Sequence, residues 1–271
     1  MKKLFLVLVA LTVFSSCEKK SDPSLQDAAC KIQSLSVESL GNIQYVFDAN
    51  DFLKEIIFLA DDGTKSSVSF EYNASGDVIK STATDGSYDI YNYDNARKLT
   101  RVDFFQADKT MSNQFVVTMD DKRRITKMVS ETWGADATYE YNYAGGKLSK
   151  IVVKADGVIF DQTDITAYES DATKKHYELQ FKGLAFNPTL PTNDILLFAP
   201  LNYQPYSDLW TACKYLDELD DDGNPTGKLE VYADREVSYT YNTNNYVSGL
   251  TIKDKLSPEV IKQVMNYTNC K

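Results

Sequence analysis

The stretch Tyr91–Phe104, YNYDNARKLTRVDF, decides how this chain folds. Tyr91 and Tyr93 stand at i and i+2, so they share one face of an extended strand. Asp94 follows; a short carboxylate there bonds the backbone just ahead of it and starts a turn. Leu99, Val102 and Phe104 then resume an apolar pattern, and the whole stretch reads as a β-hairpin. The unit recurs. Tyr45-Val46-Phe47-Asp48 leads to Asp51 and Leu53, Phe70-Glu71-Tyr72-Asn73 to Gly76 and Val78, and Val117-Thr118-Met119-Asp120 to Arg123 and Ile125. Tyr239-Thr240-Tyr241-Asn242 leads to Asn245 and Val247, and Tyr139-Glu140-Tyr141-Asn142 fits with one residue inserted before Gly145-Gly146 and Leu148. Tandem hairpins with short links make an antiparallel meander. The spacing predicts an all-β protein of about 12 strands, a large curled sheet that is open or partly closed in the manner of a barrel.

Between residues 151 and 239 the pattern loosens. Ile151–Phe160, Thr166–Tyr168 and Lys175–Phe181 read as strands, and Gly183–Asp194 is rich in turn formers. This irregular insertion carries two candidate short helices, Asp194–Phe198 and Ser207–Leu219; Ser207-Asp208 suits a helix cap, while a strand reading of the second stays open. Asp220–Gly227 is a turn, and strands resume over Lys228–Val237 and Val237–Tyr241.

The first residues follow another logic. Lys2 and Lys3 precede the apolar run Leu4–Phe14, and Ser15-Ser16-Cys17 closes it. A charged start, an apolar middle and small residues before a cut form a secretory signal. The run is shorter than the roughly 20 residues that span a bilayer. A cysteine directly after the small residues looks like a lipobox, the site at which a lipoprotein is acylated and cut. Residues 1–16 are therefore read as signal peptide, 17–32 as a polar tether lipidated at Cys17, and 33–271 as one antiparallel β domain. The expected location is the cell envelope, lipid-anchored to the outer membrane, periplasmic or surface-exposed.

The Tyr-x-Tyr-Asn/Asp…Gly…Leu unit resembles the YD (Rhs-type) repeat. Joined to the lipobox, it resembles the family of Bacteroidota secreted lipoproteins with degenerate YD-like hairpins. The likeness covers most of residues 40–160 and 228–253, and Asn187-Pro188 fits it too. It implies a curled, porin-like antiparallel sheet with no established activity. The toxin-enclosing role of long Rhs shells does not carry over to so short a chain.

Composition excludes several functions. The formal net charge is −10, and without a basic stripe such a chain has no electrostatic attraction to nucleic acid. His176 is the single histidine, in a polar, strand-like alternation; a histidine-based triad would have to use it, and HExxH chemistry is excluded. Gly145-Gly146-Lys147 lacks the other residues of a P-loop, and the acidic turn at Glu218–Gly223 has Leu229 where a calcium loop needs Glu. No metal, cofactor or catalytic residue is expected. Cys30 and Cys270 open and close the folded region and suit a disulfide, with Cys213 unpaired; three buried thiols is the other reading.

The aromatic residues remain, 18 Tyr, 13 Phe and 2 Trp. Those in the repeat pack the sheet; Phe186, Tyr203, Tyr206 and Trp210 in the insertion are the candidate ligand contacts, or else plug the curled sheet. Three functions follow. The first is a non-enzymatic binding or interaction module of the envelope, meeting the membrane through its lipid and a glycan or envelope protein as partner. The second is a glycan-binding lipoprotein of polysaccharide uptake, and the third a carboxylate-dependent hydrolase.

Overall fold

The computed structural model describes residues 31–37, 41–130, 137–175, 184–186, 198–200, 209–219, 225–258 and 260–268. They form β1 (Lys31–Val37), β2 (Gly41–Phe47), β3 (Leu53–Leu59), β4 (Lys65–Tyr72), β5 (Val78–Ala83), β6 (Tyr88–Tyr93), β7 (Leu99–Phe105), β8 (Met111–Met119) and β9 (Ile125–Ser130). Then come β10 (Thr138–Ala144), β11 (Lys147–Ala155), β12 (Val158–Tyr168), β13 (Leu184–Phe186), β14 (Phe198–Pro200), β15 (Trp210–Leu219), β16 (Pro225–Tyr241), β17 (Val247–Asp254) and β18 (Val260–Thr268). Sixteen strands close into one antiparallel barrel in chain order, with β12 followed directly by β15 and with β18 returning to β1. The small pair β13–β14 stands apart. The all-β expectation holds; the sheet is fully closed, and has more strands than the expected twelve or so because the loosened region also supplies barrel staves. Closure comes from β1, whose residues Lys31 to Val37 pair with Thr268 to Gln263, and which starts two residues before the expected domain boundary.

The turns explain the regularity. At one rim β2–β3, β4–β5, β6–β7, β8–β9 and β16–β17 are joined by loops opening on Asp48, Asn73, Asp94, Asp120 and Asn242. In each the backbone bonds twice: Asp94 N–H donates to the Lys98 carbonyl, and Arg97 N–H to the Asp94 carbonyl, both at 3.0 Å. The side chain bonds as well; Asn73 Oδ1 accepts from Ser75 N–H at 2.9 Å and Asp77 N–H at 3.0 Å. The fourth of the five loop residues is left-handed, at Gly76 (φ 80°) but also at Arg97 (φ 60°) and Arg123 (φ 63°). A left-handed non-glycine residue costs roughly 1–2 kcal/mol, which the side-chain bonds offset. This is a type I turn with a bulge, and the pairing shifts register beside it, as between Asn92 and Tyr93. We call this end the Asx rim; β1 also begins there and β18 ends there.

Inside and outside follow the pleat. Tyr45, Leu53, Ile56, Phe70, Tyr91, Leu99, Val102, Phe115, Ile125 and Met128 belong to one buried cluster. Their neighbours in sequence face out: Gln44, Glu71, Arg101, Thr118, Lys127, Asn142, Lys214, Glu236 and Lys262 are all exposed. At the Asx rim a second set of contacts closes the gaps between strands. Tyr72 donates its phenol to the Leu53 carbonyl at 2.6 Å, Tyr93 to Val78 at 2.8 Å, Tyr143 to Ile125 at 2.8 Å and Tyr239 to Trp210 at 2.6 Å. Tyr168 bonds Leu148 and Tyr267 bonds Val247 in the same way. Each of these tyrosines lies in the last three residues of an even-numbered strand and caps the first residue of the odd-numbered strand before it, or, for Leu148, the second.

Four local expectations are corrected. The second candidate helix is strand from Trp210 on; Cys213 and Tyr215 face the core and Lys214 faces water. Its apolar spacing is outweighed by the hydrogen bonds of β12 and β16 on either side. Ile151–Phe160 is two strands, split by Asp156 (φ 49°) and Gly157 (φ 81°). In the unit near 140 the equivalents of Tyr91 and Tyr93 are Tyr141 and Tyr143, because the turn is the two-residue Gly145-Gly146 with both φ positive. Lys228 to Tyr241 is one continuous strand within β16. Phe198 opens β14, while residues 194–197 of the first candidate helix lie outside the described residues. Of Lys175–Phe181 only Lys175 is described, as a parallel bridge to Tyr246.

Candidate functional site

Polar groups on the inner wall are concentrated towards the rim opposite the Asx turns. One row crosses four strands by direct cross-strand pairing: Ser81 of β5 faces Asp89 of β6, Asp89 faces Phe104 of β7, and Phe104 faces Asn113 of β8. One step towards the Asx rim, Tyr91, Val102 and Phe115 are at most 4% exposed. Asp89, Phe104 and Asn113 are only half-buried. The inner wall therefore meets solvent at the level of this row.

The row is held in place. Ser81, 2% exposed, donates its hydroxyl to Asp89 Oδ2 at 2.7 Å. Burial, first, and the nearby Asp89 carboxylate raise the Tyr91 phenol well above its ordinary range, with Ser81 opposing them. Asn113 Oδ1 accepts from Gln114 N–H at 2.8 Å and from the Ser130 hydroxyl at 3.0 Å. A backbone N–H only donates, so the orientation of that amide is settled. Phe104 packs edge-on against Phe115 at 5.6 Å, and Phe115 against Tyr139 at 5.9 Å. Asp89 Oδ1 and the Asn113 amide nitrogen thus flank the Phe104 ring without partners among the described residues. Burial raises the Asp89 carboxyl above its ordinary range, opposed by the Ser81 bond.

A second inner cluster joins Cys213, Tyr215, Arg235 and Asp254. The Arg235 guanidinium stacks on the Tyr215 ring at 4.8 Å and lies 3.6 Å from Asp254. Burial pushes the Cys213 thiol up to about 12. A thiol so protonated is a poor nucleophile, and this cluster is packing. Gln263 Oε1, buried on the inner face of β18, has no hydrogen-bond partner among the described residues.

Of the four expected contact residues, Trp210 and Phe186 are among the described residues. Trp210 opens β15 and is 5% exposed within the core cluster, its carbonyl capped by Tyr239. Phe186 ends β13, opposite Phe198. Tyr203, Tyr206, Cys17, Cys30, Cys270 and His176 lie outside the described residues. Cys213 is a free, buried thiol. The insertion leaves and rejoins the barrel at the Asx rim, where Glu169 N–H donates to the Leu209 carbonyl at 2.8 Å and Tyr241 donates to Glu169 at 2.8 Å. Among the described residues no group of metal-binding side chains exists. The row itself was not singled out from sequence, although a signal was there. Asp89 has the parity of Tyr91 and Tyr93, and Asn113 that of Phe115 and Val117, which puts polar groups on the apolar face.

These features define a closed antiparallel barrel with a largely apolar interior, a largely polar outer wall and a polar row on its inner face. No family model and no curated protein matches the sequence. Among solved structures, a porin-like protein from Bacteroides uniformis aligns over 84% of this chain and 88% of its own, with 12% identity and a TM-score of 0.54. A porin-like protein from Bacteroides vulgatus aligns over 87% and 98%, with 12% identity and a TM-score of 0.40, too low to argue from. The first likeness is one of fold. A membrane barrel turns an apolar band roughly 25 Å tall to lipid; here the outward face carries the charged and polar residues named above, with exposed Ile79, Val116, Val231, Tyr232 and Val264 interspersed among them.

Proposed function

We propose that this chain is a lipid-anchored protein of the cell envelope, at the outer membrane, that acts by binding and not by catalysis. The direction of the barrel's polarity supports the reading. A wall carrying Glu71, Arg101, Lys127, Lys214 and Glu236 is stable in water; each Lys or Arg facing lipid at the bilayer midplane costs about 2–4 kcal/mol. Membrane residence then calls on the N-terminal segment, with Cys17 as acyl acceptor, since two or more acyl chains hold where one is marginal. Lys31 enters at the Asx rim, so the inner row at the other rim points away from the attachment. Replacing Cys17 by Ser is the test: the protein should leave the membrane fraction and lose palmitate label. Unchanged fractionation and labelling would defeat the reading.

A glycan is the favoured ligand, because the row sets an aromatic ring between a hydrogen-bond acceptor and a donor, the arrangement that takes a sugar. The row holds a single carboxylate, whereas glycoside hydrolysis uses two, about 5–9.5 Å apart.

A further inference from the structure

We propose that the inner row Ser81–Asp89–Phe104–Asn113 is a subsite for an amino sugar, a pyranose ring bearing a protonated amine. The inference rests on the glycan reading and names the charge of the ligand.

Three observations point to that charge and size. The first is that Asp89 enters no ion pair among the described residues and uses one oxygen for Ser81, leaving Oδ1 as a bare acceptor. A half-desolvated carboxylate without a cation attracts one, and a charge-assisted N–H···O bond is roughly twice as strong as a neutral one. The second is that Phe104, the direct cross-strand partner of Asp89, offers a ring to the apolar face of a pyranose and, next to the carboxylate, to an ammonium group. The third is that the Asn113 amide nitrogen, with its own oxygen already engaged, offers donors to a hydroxyl on the far side of the ring. Asp89 and Asn113 sit two strands apart, roughly 10 Å at the usual strand spacing. A pyranose about 5 Å across with a hydrogen bond of about 3 Å at each end spans that distance. The bond from the buried Ser81 hydroxyl fixes the carboxylate before any ligand arrives, so little ordering remains to be done on binding.

Calorimetric titration of the full chain carrying Cys17→Ser tests the proposal, with glucosamine, N-acetylglucosamine and glucose as probes. Glucosamine should bind about tenfold tighter than the two neutral sugars. Asp89→Asn should bring the three affinities together. Burial disfavours the ionised Asp89, so the neutral isostere should melt no earlier than the parent. Phe104→Leu, which keeps the wall apolar, should weaken all three sugars and leave their ratio. Equal binding of glucose and glucosamine by the parent, or a preference that survives Asp89→Asn, overturns the amino-sugar assignment alone. Absence of binding by all three sugars overturns the glycan reading with it, while the envelope assignment stands or falls on the Cys17 fractionation.

Discussion

Tyr93→Phe removes one oxygen atom and should destabilise the barrel measurably. The phenol donates to the Val78 carbonyl at 2.8 Å. The β5–β6 ladder ends at Lys80 and Ile90, so no backbone N–H of β6 takes the place of the phenol at Val78. Val78 is 0% exposed, and water does not replace the lost donor. Burial drives the Tyr93 ionisation well above its ordinary range, so the donor is present at any ordinary pH. An average hydrogen bond contributes about 1 kcal/mol, and an acceptor left buried and unmet raises the loss to about 1–3 kcal/mol. In a domain of this size each kcal/mol lowers Tm by about 2–4 °C. Urea and thermal unfolding of the soluble full chain give both numbers. Tyr88→Phe is the control, because that ring lies on the outer wall stacked on Phe105 at 4.8 Å and should change stability little. The repeat also offers the converse experiment. Met119 occupies the Tyr93 position in its own unit, pairing with Ile125 as Tyr93 pairs with Leu99. Met119→Tyr should reach the Leu99 carbonyl and stabilise by up to about 1 kcal/mol. A Tyr93→Phe loss within about 0.3 kcal/mol of the Tyr88→Phe value would refute the capping role.

Two further outcomes concern the cysteines. Lys31 and Thr268 are cross-strand partners, with Cys30 just before the one and Cys270 two residues past the other; non-reducing peptide mapping should return a Cys30–Cys270 peptide. Cys30→Ser should then cost up to about 4–5 kcal/mol in the loop-entropy model, and a Cys30–Cys213 peptide or three free thiols would contradict the pairing. Cys213, 0% exposed and with its thiol pushed up to about 12, should resist an aromatic disulfide reagent at pH 8 and react once urea unfolds the chain. Labelling of the native protein at the unfolded rate would show that β15 is not seated as described.

Much of this architecture is written in short stretches. Tyr-x-Tyr followed by Asp or Asn names both strand and turn, because face-sharing and backbone bonding by a short side chain act within a few residues. Asp156-Gly157 was equally legible as a two-residue hairpin, since both positions need positive φ, and reading it would have split Ile151–Phe160 correctly. The polar outer wall follows from the same alternation. The identity of the candidate site was half-written: the parity of Asp89 and Asn113 marks them as inward-facing, but nothing local says that they stand beside one ring.

What only the tertiary structure decided depends on contacts between distant residues. Closure of the barrel requires Lys31–Val37 to find Val260–Thr268, and no turn links them, so an open sheet and a closed one share the same local signals. Trp210–Leu219 is a strand because β12 and β16 each present an unpaired ladder to it; its own apolar spacing favours neither state. The tyrosines looked like core packing from sequence, and six of them are rim caps, since the carbonyl each one meets lies on the strand beside it, most about 15–20 residues back. Ser81, Asp89, Phe104 and Asn113 form one row only once three ladders fix their registers. A slip of one residue in any ladder would turn part of that row to the outer wall, and register is a property of paired strands and not of either strand alone.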